Sequence, residues 1–157
     1  MLSGHGEGTK VSELRLKPVI LGGLIAGTID IFAAAFISHH TPWVILYYIA
    51  GGLLGRAALD GGWSVAVLGL ALQWAMSLII AAPFVFVADR MRILKRHWII
   101  AGVAYGTVVF YVMNHVVVPL SAWHSKPTSN EVRIAEDLLA MWLFGVIIAA
   151  CARATRA

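Results

Sequence analysis

Few residues in this chain have the chemistry to form a site, and most of them fall inside or beside long apolar runs. Asp30, Gln73, Asn114, His115, Glu136 and Asp137 are ionisable or amide side chains in such runs, and Arg56 and Asp60 follow a glycine-broken one. A charged side chain at membrane depth is expensive and normally faces a polar partner or a wet cavity. The pattern therefore points to a polar pocket for protons, cations or a small polar solute. His39, His40, His115 and His124, with Glu136 or Asp137, are of the types that bind Zn, Cu or Ni. A bis-histidine haem would need such histidines paired between the first and third helices. No H-x-x-x-H or H-E-x-x-H spacing accompanies them. No cofactor is expected, and a metal- or haem-binding role stands as a third alternative. No nucleophile–base pair, phosphate-binding glycine loop or paired catalytic carboxylate is placed in a wet domain, so the reading leans away from an enzyme.

The elements that position these residues follow from composition. Of 157 residues, 60% are apolar and 13% charged, against about 45–50% and about 25% in soluble domains. A folded domain of this size still exposes about 30% of its extended-chain surface, so the excess cannot all be hidden in one core. A soluble domain, a disordered chain and a disulfide scaffold are excluded, the last also by the single Cys151. The net charge of +4 fits basic residues that fix orientation at a membrane face, with no nucleic-acid partner.

A spanning helix needs about 20 mostly apolar residues. Four stretches qualify, at 18–38, 64–88, 98–120 and 134–152, with Pro18 suited to a first helical turn. Pro42 to Leu59 is a fifth apolar stretch, broken by Gly51, Gly52 and Gly55. Basic residues cluster as Lys10, Arg15 and Lys17, as Arg90, Arg92, Lys95 and Arg96, and as Arg153 and Arg156. If residues 42–59 do not cross, all three clusters share one side, as the positive-inside rule favours; Arg56, Lys126 and Arg133 remain outside. The expectation is an all-α integral membrane protein: a four-helix transmembrane bundle with a short re-entrant or interfacial helix between the first two spans. Residues 18–152 would form the single domain, with cytoplasmic tails at 1–17 and 153–157. The run before Ala33, Ala34 and Ala35 is too long and too polar at Asp30 for a cleaved signal peptide.

Close helix packing in lipid relies on small residues. Gly23 and Gly27, Gly102 and Gly106, and the series Gly69, Gln73, Ser77 and Ala81 supply such stripes. Asp30 follows Gly27 by three positions, which puts it on the same seam, toward protein. Counted from the outer helix ends, Asp30 lies about 12 Å deep, Gln73 about 13 Å, and Asn114 and His115 about 8 Å. Glu136 and Asp137 lie in the first outer turn of the last span. Polarity is thus gathered toward one leaflet, in a pocket closed by 42–59 with Asp30 at its floor, where Arg56 or His115 is the expected partner. Trp43, Tyr47, Tyr48, Trp63, Trp98 and Trp123 fall at span ends as an aromatic belt, and His97 reads as a headgroup contact.

The blocks AGTIDI (26–31), IAGGLLGRAALDGG (49–62), LGLALQW (68–74) and YGTVVFYVMNHVVVPLSA (105–122) resemble a family of small bacterial inner-membrane proteins of uncharacterised activity. The third span and the NEVRIAEDLLAMWLFGVIIA segment are more distantly similar to YagU-like proteins. The resemblance implies a multi-span bundle in the bacterial inner membrane, with Asp30, Gly51, Gly52, Gly55, Gly61, Gly62, Asn114, Pro119 and Ser121 at motif positions. It also implies that the place of Gln73 is often His, so the glutamine here argues against a ligand role. Three functions are in competition: handling of protons or a small solute, an accessory subunit of a larger complex or homo-oligomer in the bilayer, and metal or haem binding.

Overall fold

The computed structural model describes residues 5–124 and 130–154, with side chains from Leu16 onward. Parts of the expected tails and of the polar loop, including Lys126 and Arg156, lie outside the described residues. Helices α1 (His5–Ser38), α2 (Pro42–Leu54), α3 (Trp63–Arg90), α4 (Arg92–Arg96), α5 (Trp98–Val112), α6 (Val118–Leu120) and α7 (Glu131–Ala154) make up nearly all of it. A tight 3-10 turn (Gly55–Asp60) follows α2, and a widened π turn (Met113–Val117) joins α5 to α6. No strand occurs among the described residues.

Five helical segments are long and apolar enough to cross a membrane: Leu16–Ser38, Pro42–Asp60, Trp63–Arg90, Trp98–Leu120 and Glu131–Ala154. Their outward faces are hydrocarbon, with Phe36 83%, Ile79 69% and Ile100 69% exposed. Water would not tolerate so much exposed apolar surface, and the chain is an all-α membrane protein. Helix α1 does not begin at Pro18 but runs back to His5. The proline ring is fully buried, so its packing offsets the backbone hydrogen bond it removes.

Glycines set the helix spacing. A Cβ on Gly102 would strike the Val146 backbone, one on Gly106 the Met141 carbonyl, and one on Gly145 the Gly102 carbonyl, so α5 and α7 lie backbone to backbone. On the other side of α7, Gly22 of α1 meets Cys151, while Gly23 and Gly27 meet Leu78 and Ser77 of α3. The Gly102 and Gly106 contacts, and those of Gly23 and Gly27, run in opposite senses along the two helices they join, so α5 is antiparallel to α7 and α1 to α3. Apolar residues fill two clusters. Ala26, Ala81, Phe84, Val85, Phe144 and Ile148 belong to the one toward the Lys95 end. Ile31, Ala35, Ile45, Leu46 and Ala66 form the other, toward the His39 end, where α2 joins.

Both ends of α2 are tied to the His39 end of the bundle. Trp43 packs on Trp63, the first residue of α3, at 4.7 Å between ring centres. Further along α2, the Ala122 amide donates to the Gly52 carbonyl at 2.8 Å, the Trp123 indole donates to the Tyr48 carbonyl at 3.0 Å, and a Cβ on Gly51 would collide with the Trp123 ring. His39 closes α1 in the left-handed region (φ 55), and the His40 amide donates back to the Ala35 carbonyl at 3.0 Å.

Replacing Gly145 by valine should lower stability by about 1–3 kcal/mol through overpacking at the α5–α7 seam. Gly52→Ala, where the added methyl would meet only Ser121 at ordinary contact distance, should leave stability unchanged or slightly raised. Thermal unfolding in mild detergent distinguishes the two.

Candidate functional site

Between the two apolar clusters lies a layer of polar side chains. Asp30 is half-buried where α1, α3 and α7 come together. The glycine seam produces this position: with hydrogen alone at Gly23 and Gly27, α3 comes close enough for its stripe to reach α1. The Gln73 amide donates to Asp30 Oδ2 at 2.9 Å and to the Gly27 carbonyl at 3.3 Å. Ser77 Oγ donates to the Gln73 carbonyl at 2.8 Å. One position away, the Trp74 indole donates to Thr28 Oγ1 at 3.3 Å. From the α7 side, Asp137 lies within electrostatic range of Asp30, and Arg133 and Glu136 are the charges that act on Asp137.

Above this layer, toward the His39 end, is a cavity of about 630 Å³. Its polar walls come from Ser38, His40, Arg133 and Asp137, and Tyr48 and Trp123 close one side. The aromatic wall is continuous: His40 stacks on Tyr48 at 6.1 Å, and Tyr48 meets Trp123 at 5.8 Å. Asp30 does not itself line the cavity; it sits one helical turn below Ala34, which does. Arg133 and Asp137, four residues apart on α7, share a face, so from the mouth inward one guanidinium, Arg133, is followed by two carboxyls, Asp137 and Asp30. Such an arrangement can hold a small cation or a proton among carboxylates, with a guanidinium at the entrance.

The remaining expected site residues lie apart from this cavity. Arg56 and Asp60 are exposed on the 3-10 turn and do not line it; the expected pairing of Asp30 with Arg56 is replaced by the hydrogen bond from Gln73. The reason is local, because Gly55 (φ 67) breaks the helix axis before Arg56. Asn114 donates to the Phe110 carbonyl at 3.1 Å, and the His115 ring lies 3.2 Å from the Tyr111 carbonyl and against the Tyr111 ring. Both are held on their own helix. Pro119 cannot bond the His115 carbonyl and its ring crowds it, and the π turn is the relief. Glu136 is half-buried beside Asp137 without lining the cavity. Residues not singled out for the site, Ser38, Tyr48 and Arg133, do line it; the four-residue spacing of Arg133 and Asp137 was the available signal. His39 and His124 are exposed; among the described residues no cluster of three or more His, Cys, Asp or Glu side chains is arranged to hold a metal ion.

No protein-family model matches the chain, and no curated protein or solved structure is similar to it.

Gln73→Leu leaves the Asp30 carboxyl without its donor and should cost about 1–3 kcal/mol. Asp30→Asn retains an acceptor for Gln73 and should cost less. The double replacement Asp30→Leu with Gln73→Leu should recover most of the Gln73→Leu loss, because neither polar group is then left unpaired. A double-mutant cycle of thermal unfolding in detergent measures this coupling.

Proposed function

We propose that this is a small bacterial inner-membrane protein that binds a small cation, a proton included, in the cavity facing the periplasmic side, with Asp30 and Asp137 as its anionic floor. The observation that carries the reading is the carboxyl of Asp30, hydrogen-bonded to the Gln73 amide within the helix bundle, with a second carboxyl in electrostatic range, and set one helical turn below a cavity with a polar mouth. A group so costly to keep in an apolar layer marks a site for ions or protons.

Four crossings with both termini cytoplasmic suit this reading. The helices α1, α3, α5 and α7 alternate in direction, and α2 makes contacts near both its ends with the same end of the bundle. Residues 42–59 then form a re-entrant or interfacial cover over the cavity. The clusters around Lys95 and Arg153 fall on the cytoplasmic side, as the positive-inside rule favours, and the resemblance to small bacterial inner-membrane proteins supports the same placement. Beyond Asp30 toward the Lys95 end, polar groups are engaged locally. Trp142 donates to Thr107 Oγ1 at 2.8 Å, Tyr105 donates to the Ile80 carbonyl, and the surrounding cluster is apolar. The site is therefore open to one side and closed to the other, which suits binding before a conformational step over a standing pore.

The test is uptake by proteoliposomes under an imposed membrane potential, with a pH-sensitive dye for protons and labelled monovalent cations in parallel. Wild type should exceed empty liposomes in at least one assay, and Asp30→Asn should lose that activity by about tenfold or more, a typical cost of removing a buried charge contact. Equal rates for wild type and Asp30→Asn would overturn the reading. In that case an accessory subunit of a larger membrane complex becomes the better account.

A further inference from the structure

The Lys95 end of the bundle carries a second feature, remote from Asp30. Helices α3 and α5 diverge there into an apolar crevice of about 490 Å³, lined by Pro83, Phe84, Ile93, Leu94, His97 and Ala104 among others. It continues into a second crevice of about 290 Å³ through the shared residues Pro83, Tyr105 and Val108. The second crevice extends as far along α5 as Val112. From His97 to Val112 the helix rises about 22 Å, more than the depth of one leaflet, which is about 15 Å.

No lysine or arginine lines the crevice; the basic groups stand on and around the α4 turn beside it. Several basic groups here are already engaged: Arg90 lies over the Phe86 ring at 4.1 Å, Arg153 over Trp98 at 5.7 Å, and Lys95 pairs with Asp89 at 3.2 Å. Arg92 and Arg96 are exposed and form no ion pair with a described residue. They stand four residues apart on one face of α4, and Ile93 and Leu94 of the same short helix wall the crevice from a different face. A pair of exposed guanidiniums on the helix that borders a hydrocarbon slot suits a lipid phosphate and its chain, since arginine binds phosphate oxygens in a bidentate fork.

We infer that the α4 turn and the α3–α5 crevice form a binding site for an anionic phospholipid, with Arg92 and Arg96 on the phosphate and an acyl chain in the crevice. Basic clusters beside crevices between membrane helices recognise anionic headgroups in this way.

Native mass spectrometry of the detergent-purified protein, with equal amounts of phosphatidylglycerol and phosphatidylcholine of the same acyl chains, tests the site. Wild type should retain the anionic lipid in preference, by about fivefold for each arginine. The double variant Arg92→Gln with Arg96→Gln should bring the two lipids to parity while still binding both. Ala104→Phe, which fills the crevice from an exposed position, should reduce retention of both and leave the preference intact. Glycerol phosphate without chains should fail to compete. Equal retention by wild type, a preference unchanged in the arginine variant, or competition by glycerol phosphate would overturn the inference. So would a co-purifying protein in the crevice that lipid does not displace. Thermal unfolding of each variant in the same detergent confirms that the comparison is made on folded protein.

Discussion

One constraint organises the molecule: a carboxylic acid must be kept inside an apolar bundle without being left alone. Asp30 meets it through close packing. Glycines at positions 23 and 27 let α3 lie against α1, and that proximity brings the Gln73 amide within 2.9 Å of the carboxyl. A methyl group at Gly27 would collide with Ser77, pushing apart the helices on which the Asp30–Gln73 hydrogen bond depends. Packing and polarity are thus one device here, because the small residues that compensate for the lack of a hydrophobic drive in lipid also place the polar groups.

The same logic explains why the bundle has two apolar clusters and a polar layer between them in place of one continuous core. Toward the Lys95 end, α1, α3 and α7 close on each other through alanines, Phe84 and Ile148. Toward the His39 end the space between α1 and α7 is left open, and α2 covers it from the side, anchored by Leu46 on Gly69 and by Gly51 under Trp123. A cavity with charged walls can persist at that end because α2 is held by backbone contacts and aromatic rings, neither of which depends on filling the cavity.

Much of the architecture is legible in the residues themselves. Long apolar runs mark the helices, and the three-residue step from Gly27 to Asp30, set against the four-residue stripe through Gln73 and Ser77, brings the carboxyl and the amide onto facing seams. What the pattern does not reveal is local backbone geometry. Asn114 and His115 have the right depth for a site, yet the π turn before Pro119 binds them to their own helix. Arg56 follows a glycine that breaks the axis, so its sequence position near the cover carries no information about where its charge ends up. Glu136 and Asp137 are equivalent on paper, and only helix phase, fixed by the Gly102 and Gly106 contacts to α7, decides which carboxyl reaches the cavity wall.

Access to position 30 tests the central claim most directly. In a Cys151→Ser background, Asp30→Cys should react with a small membrane-impermeant thiol reagent applied to intact cells from the periplasmic side, more slowly than Ser38→Cys at the mouth. It should be inert to the same reagent applied to inverted vesicles. Modification only by lipid-soluble reagents, or only from the cytoplasmic face, would mean that this side chain faces acyl chains or the opposite compartment, and the account of a one-sided carboxyl site would be wrong.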